Sequence, residues 1–215
     1  MTLAASTWKG LPSFSGTGIG SVPFLSVQKA CAEILRHDRL IPFWPQMVGV
    51  RAEEDMLFQF SPPLPCLKPD WAEKVLAVDP DCRRPEVLLH FYEKFLEDDP
   101  AYFSLRPDYA SGFYALLEAS LDRPTPFLKG QIVGPVTLGL SVRLEGSRFL
   151  IHEPELLDAV VKGLAAQALD QVYKFRDTGR KALIFIDEPS LSGYGSAFTP
   201  LARDEVLAIL GELIG

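Results

Sequence analysis

The chain has 215 residues, of which 47% are hydrophobic and 23% charged, a composition typical of a globular protein that can bury a core. Its formal net charge of −7 argues against nucleic acid or an anionic membrane as the main partner. The sequence contains no apolar run of the roughly 20 residues that a membrane span needs. Residues 1–10 lack a basic segment followed by an apolar one, so we expect no secretion signal. Its three cysteines are widely spaced and predict neither a zinc knuckle nor a redox couple, so we expect a cytoplasmic protein.

The predicted secondary structure alternates between strands and helices along the chain. Apolar runs predict four strands, at residues 17–23, 40–46, 126–133 and 182–186. Amphipathic patterns and capping residues predict a helix after Ser26, helices over 85–97, 108–121 and 154–178, and a last helix opened by Thr199-Pro200. We interpret the proline-rich stretch 48–84 as an excursion with short strand structure around 57–60. This order predicts a single α/β domain over residues 1–215 with parallel strands.

The run 182–186 is the most informative part of the sequence, because it ends in two adjacent carboxylates, Asp187 and Glu188. Such an apolar run is typical of a strand buried on both faces of a parallel sheet. Its C-terminal end is the rim at which parallel α/β folds bind ligands, which makes both carboxylates candidate catalytic groups. Successive side chains alternate between faces, so we expect Asp187 to be the one that faces the ligand. A strand end that caps the next turn is the alternative.

Other candidate binding residues lie near the ends of the earlier strands. Ser21 beside Gly20 is a candidate anion-binding turn, with a tight strand-to-helix connection as the alternative. Further side chains that are candidates for the same rim are Trp44, Gln46, Gln131 and Thr137. Trp44 also fits a core tryptophan, and Gln46 a polar residue at the end of a strand.

Four segments carry a resemblance to a known family, namely 17–23, 42–46, 129–137 and 185–191. In this order they resemble the cobalamin-independent methionine synthase-like branch of the uroporphyrinogen decarboxylase-like superfamily. The resemblance implies a TIM-type (β/α)8 barrel, of which this chain would supply about the first four β/α units. A partial barrel leaves an open edge, so a second copy, a partner polypeptide or a missing C-terminal half would have to cover it. A small open α/β sheet is the alternative.

The resemblance also implies roles for individual residues. In the methionine synthases the Ile-Gly-Ser turn holds the carboxylate of the amino acid and the aspartate of the Asp-Glu-Pro segment binds its ammonium. The matching positions here are Ile19, Gly20, Ser21 and Asp187. Zinc in that family is bound by later strands, so we expect no metal in this chain and zinc only in a completed barrel. Two family positions also differ, because Val50 falls near a glutamate ligand and Ser141 near a folate-stacking tryptophan.

The resemblance implies a methyltransferase that moves a methyl group from a pterin or corrinoid carrier to a thiol, with the metal half of the site absent from this chain. Ser21 and Asp187 would position the acceptor, so we expect both side chains at one mouth of the sheet. A corrinoid protein is a candidate partner, and self-association is expected if the chain is whole. The alternatives are a non-catalytic ligand-binding or assembly subunit and a uroporphyrinogen decarboxylase-like decarboxylase. The absence of arginine before Ser26 disfavours the decarboxylase.

Overall fold

The computed structural model describes residues 10, 11, 13–196 and 201–215 of the chain. Its helices there are α1 (Val27–Leu35), α2 (Arg84–Leu96), α3 (Pro100–Phe103), α4 (Ser111–Ser120), α5 (Pro135–Ser141), α6 (Pro154–Asp177) and α7 (Arg203–Ile214). Its strands are β1 (Leu67–Asp70), β2 (Val75–Val78), β3 (Phe127–Val133) and β4 (Lys181–Asp187). None of the helices in these ranges is long and apolar enough to cross a membrane. The predicted start of the last helix at Thr199-Pro200 lies outside the described residues.

The four strands form two separate two-stranded sheets. β1 and β2 form an antiparallel hairpin. Lys181 N donates to the Pro126 carbonyl at 2.9 Å, and Gly134 N donates to the Asp187 carbonyl at 2.8 Å. These bonds bracket β3 and β4 in the same order, so the two strands run parallel. Seven helices with two small sheets are a mixed α/β arrangement, and the prediction of four β/α units of a TIM-type barrel is wrong.

The first two predicted strands fail for a physical reason. Segments 17–23 and 40–46 make isolated parallel bridges, Gly16 with Leu40 and Ser21 with Gln46, instead of a continuous ladder. Proline at positions 23, 42 and 45 removes backbone donors, and glycine at 16, 18 and 20 weakens extended structure. Strand structure predicted around 57–60 is also wrong, because these residues form turns and the hairpin begins at Leu67.

The structure confirms most of the helices that the sequence predicts. Ser26 is the N-cap of α1, with its side-chain oxygen accepting from Lys29 N at 3.4 Å. The predicted ranges 85–97, 108–121 and 154–178 correspond to α2, α4 and α6, with ends shifted by at most three residues. Capping chemistry and the 3.6-residue period therefore located these helices well.

The two strands of the parallel pair differ in burial. All seven residues of β3 are buried, whereas β4 is only partly buried and its Phe185 side chain is 38% exposed. The expectation that 182–186 is a strand buried on both faces is therefore wrong. Within the described ranges β4 hydrogen-bonds to β3 alone, so it is an edge strand and its apolar side chains are incompletely covered.

The chain divides into two compact units. The first contains the described residues up to Asp55, together with Arg106–Gln131 and Leu169–Phe185. The second contains Met56–Leu105, Ile132–Ala168 and Ile186–Gly215. Each unit is assembled from three separate stretches, and the prediction of one domain over residues 1–215 stays a prediction.

Each unit has its own aromatic core. In the first unit, Phe113 packs edge-on against Trp44 at 6.0 Å between ring centres, and in a tilted arrangement against Phe175 at 5.5 Å. In the second, Phe91 and Phe103 pack at 5.5 Å and form a cluster with Ala159 of α6. Edge-to-face aromatic pairs of this kind add about 0.5–1.5 kcal/mol each beyond the area that they bury.

The second unit also contains a disulfide between Cys66 and Cys82, whose Cα atoms are 5.5 Å apart. The two cysteines flank the β1–β2 hairpin, and the reversal of the chain brings them together although 16 positions separate them. Their spacing in the sequence did not indicate this pairing. Cys31 of α1 is free and buried, and burial raises the pKa of its thiol to about 12.

Candidate functional site

Three polar side chains that are almost fully buried meet beside Gly20 in the first unit. Gln46 is 5% exposed, Gln131 1% and Lys129 0%. A Cβ atom on Gly20 would lie 2.1 Å from Gln131 Nε2 and 2.4 Å from Gln46 Oε1, so both amides converge on this glycine. We call Gly20, Gln46, Lys129 and Gln131 the Gly20 cluster.

Backbone hydrogen bonds between three neighbouring segments bring the cluster together. Gln46 N donates to the Gly20 carbonyl at 2.7 Å, which joins the first segment, 17–23, to the second, 40–46. Lys129 N donates to the Pro42 carbonyl at 2.7 Å, which joins the second segment to β3. These parallel bridges hold the first two segments in register although neither forms a continuous strand.

Lys129 fixes the orientation of the Gln131 amide. Its ammonium donates to Gln131 Oε1 at 2.6 Å, so the amide oxygen faces the charge and Nε2 faces Gly20. The opposite orientation would set N–H donors against an ammonium. Gln131 Nε2 is buried and has no hydrogen-bond partner among the described residues. An unpaired buried donor costs about 1–3 kcal/mol, so this N–H is a candidate donor to an acceptor group of a ligand.

Gln171 of α6 supports the cluster from the helical side. Its side chain donates to the Gln131 carbonyl at 2.9 Å and accepts from Gln131 N at 3.1 Å. Trp44 Nε1 donates to the same Gln171 Oε1 at 3.2 Å. Lys129 Nζ also lies 4.6 Å from the centre of the Phe185 ring, close enough for a cation–π contact. The positions of Lys129 and Gln131 in β3 are therefore fixed by the side chains around them.

The other predicted site residues of the first unit differ in their exposure to solvent. Ser21 is exposed and directly follows Gly20 in the chain. Ile19 is 78% exposed and packs little of its side chain. Trp44 is fully buried in the aromatic core, and the interpretation as a core tryptophan is the one that the structure supports.

In the second unit, Glu188 holds the N-terminus of α5. Its two carboxylate oxygens accept from Val136 N at 2.9 Å and from Thr137 N at 2.7 Å. Burial raises the pKa of the Glu188 carboxyl above its ordinary value, and the hydrogen bonds from Thr137 and Val136 act in the opposite direction. A Cβ atom on Gly134 would lie 2.0 Å from Glu188 Cδ, so glycine is needed for this close approach. This arrangement provides a structural role for Glu188.

Thr137 belongs to the same local network, because its buried Oγ1 accepts from Ser190 N at 3.2 Å. Asp187 is partly buried at the end of β4. The catalytic roles of Asp187 and Glu188 and the binding role of Thr137 stay predictions. Ser21 lies in the first unit and Asp187 in the second, and a mouth shared by both also stays a prediction.

The cysteines and histidines of the described chain do not fit a zinc site. No three His, Cys, Asp or Glu side chains among the described residues lie close enough to hold a metal ion. Cys66 and Cys82 are bonded to each other, and the buried Cys31 thiol stays protonated at neutral pH. His37 pairs with Glu33 on the exposed side of α1.

Sequence reasoning missed two residues of the site, Lys129 and Gln171. Lys129 is the one charged residue in the otherwise uncharged run 126–133, and a charge inside a buried strand is a signal of function. Gln171 follows Leu164 by seven residues and precedes Phe175 by four, which places it on the buried face of α6. Both residues could have been found from these positions.

Comparison with models of known protein families, with curated proteins and with solved structures finds no match for this chain. The resemblance to methionine synthase-like proteins therefore stays a prediction. What the chain does has to be inferred from the chemistry of the Gly20 cluster and its surroundings.

Proposed function

We propose that the Gly20 cluster binds the polar end of a small methyl acceptor. The chain would be the acceptor-binding part of a methyltransferase that moves a methyl group from a pterin or corrinoid carrier to a thiol. One observation carries this proposal, namely the buried Gln131 Nε2 donor without a partner among the described residues, held beside Gly20 by the Lys129 ammonium. Buried donors left unpaired are costly and rare in folded proteins, and functional sites are where local rules are most often broken.

The chemistry of the cluster favours a carboxylate on the acceptor. Gln131 offers an N–H, the neighbouring Lys129 offers a positive charge, and Ser21 offers a hydroxyl one residue after Gly20. A carboxylate accepts from all three kinds of group, and ionised acceptors form stronger hydrogen bonds than neutral ones. An amino acid that carries a thiol combines such a carboxylate with a nucleophile for the methyl group.

The proposed reaction is a simple group transfer. The sulfur of the acceptor, after loss of its proton, forms a bond to the methyl carbon as the bond between that carbon and its carrier breaks. The carrier keeps the electron pair of the broken bond, so no oxidant or reductant is needed. The Gly20 cluster would hold the acceptor in place during this displacement.

Calorimetric titration with L-methionine tests the binding step. L-methionine is the product of methyl transfer to L-homocysteine, has no thiol and cannot exchange with the Cys66–Cys82 disulfide. We expect binding to the wild type and at least tenfold weaker binding to Gln131→Met, because a charged acceptor loses a donor. Gln167→Met is the matched control, since Gln167 is a fully buried glutamine of the second unit. Equal affinity of both variants for L-methionine would contradict the proposal.

L-methioninol provides a second control, because an alcohol replaces its carboxylate. L-methioninol should bind to the wild type much more weakly than L-methionine does. Its affinity for Gln131→Met should be the same as its affinity for the wild type. Methyl transfer is then measured as methionine formed from L-homocysteine with 5-methyltetrahydrofolate or methylcobalamin as the donor. Binding without transfer from either donor would identify a non-catalytic ligand-binding subunit.

A further inference from the structure

A separate cavity of about 250 Å³ lies in the first unit. It is lined mainly by residues 37–42 and 123–127. Segments 17–23 and 40–46 are bridged near both ends. The bridge between Gly16 and Leu40 lies at the end near this cavity, and the bridge between Ser21 and Gln46 lies at the end near the Gly20 cluster. The cavity is therefore distinct from the proposed acceptor site. We propose that it binds a small organic anion, a carboxylate or a phosphate monoester carried on an apolar body.

Two arginines supply the positive charge of this cavity. Arg39 and Arg123 both line it, and both are exposed. Neither guanidinium forms an ion pair or hydrogen bond with another described residue. Arginine presents a planar fork of donors that matches carboxylate and phosphate groups. In a chain whose net charge is −7, a cavity flanked by two such groups favours an anionic ligand over a cationic one.

The backbone at both arginines is held by hydrogen bonds. The Arg39 carbonyl accepts from Gly16 N at 3.1 Å. The Arg123 carbonyl accepts from the guanidinium of Arg180 at 3.1 Å, and Arg123 N donates to the Ser120 carbonyl at 3.0 Å. Arg180 is itself only 9% exposed, so this contact fixes the loop after α4 from within the protein. A ligand would therefore not have to order these loops, which lowers the entropic cost of binding.

Part of the cavity lining is apolar and buried. Ile41 is 9% exposed and Phe127 4%, and both line the cavity. Such apolar lining together with two charged groups suits a ligand whose ring or aliphatic part packs against Ile41 and Phe127 while its anionic group pairs with the arginines. Asp38 also lines the cavity, and its carboxylate opposes binding of an anion. The two arginines outnumber it, so the cavity retains a net positive charge.

Phenyl phosphate and benzoate are the probes, and benzyl alcohol and inorganic phosphate are the controls for the two halves of the ligand. Calorimetry at low salt should show tighter binding of at least one aromatic anion than of either control. Arg39→Gln and Arg123→Gln should each weaken that binding about tenfold. Arg176→Gln is the matched control, an exposed arginine at the end of α6 that does not line the cavity. It should leave the affinity unchanged.

A second variant tests the sign of the charge effect. Asp38→Asn removes the opposing carboxylate and should tighten binding of the same anion several-fold. The relative affinity of phenyl phosphate and benzoate identifies the anionic group that the site prefers. Absence of binding to the wild type at millimolar concentration would overturn the proposal, as would equal affinities of Arg39→Gln, Arg123→Gln and Arg176→Gln. All these residues are exposed, and circular dichroism can verify that each variant is folded.

Discussion

Replacing the buried polar pair of the Gly20 cluster should stabilise the protein while abolishing its binding. The double variant Lys129→Met/Gln131→Met removes a fully buried ammonium and a nearly fully buried amide and keeps side chains of similar length. Replacing both members of a buried polar pair with apolar groups of similar shape is often neutral or stabilising. If the cluster is kept for ligand binding, its removal should not reduce stability.

The magnitude follows from the contacts of the two side chains. The unpaired Gln131 Nε2 costs about 1–3 kcal/mol, and burial of the Lys129 ammonium costs several kcal/mol more. The 2.6 Å hydrogen bond between them returns about 1.5–3 kcal/mol. The contact of the ammonium with the Phe185 ring returns about 1–2 kcal/mol. We therefore expect the double variant to gain about 1–3 kcal/mol in the free energy of unfolding.

Guanidinium titration followed by circular dichroism and tryptophan fluorescence measures this change, with both single variants included to complete the mutant cycle. Each single variant should be less stable than the double variant, because it breaks the hydrogen bond between the two side chains and keeps one of the two polar groups buried. A loss of more than about 1 kcal/mol in the double variant would show that the buried pair stabilises the fold. The pair would then be a structural network that the fold requires.

Three further predictions concern other parts of the fold. Glu188→Ala removes both acceptors at the start of α5 and should cost about 1–3 kcal/mol in urea titration, with Glu188→Gln losing less. Burial raises the folded-state pKa of Glu188 above its ordinary 4.5, so the wild type should lose stability relative to Glu188→Gln as pH rises from that value. A wild type that instead gains stability relative to Glu188→Gln over this pH range would contradict the prediction. Reduction of the Cys66–Cys82 disulfide removes a cross-link that spans 16 positions and should lower the free energy of unfolding by about 3 kcal/mol. Denaturant titration with and without dithiothreitol measures this change, and identical midpoints would count against it.

The helices could be predicted from the sequence because their signals are local. Ser26 caps α1 through its own side chain, and the apolar period of 154–178 is confirmed by α6 (Pro154–Asp177). The strands were harder, because pairing depends on backbone donors that proline removes and on partners distant in sequence. Residues 40–46 look like a strand by composition, yet they form single bridges.

The candidate site shows the same division between local and distant information. The sequence indicates Gly20, Gln46 and Gln131 as candidate binding residues, and the structure brings them together. Their orientation could not be predicted, because it depends on the Lys129 ammonium and on Gln171 from a helix that follows 40 positions later. The sequence makes Glu188 a candidate catalytic group and does not show its capping role, because a carboxylate at a strand end and a carboxylate at a helix cap look alike in sequence. Only the position of α5 reveals the capping contact.

A crystal structure of the protein with L-methionine is the most direct test of the proposed site. We expect the ligand beside Gly20, with a carboxylate oxygen within hydrogen-bond distance of Gln131 Nε2. A ligand bound elsewhere, with its carboxylate away from Gln131, would contradict the assignment of the Gly20 cluster as the acceptor site.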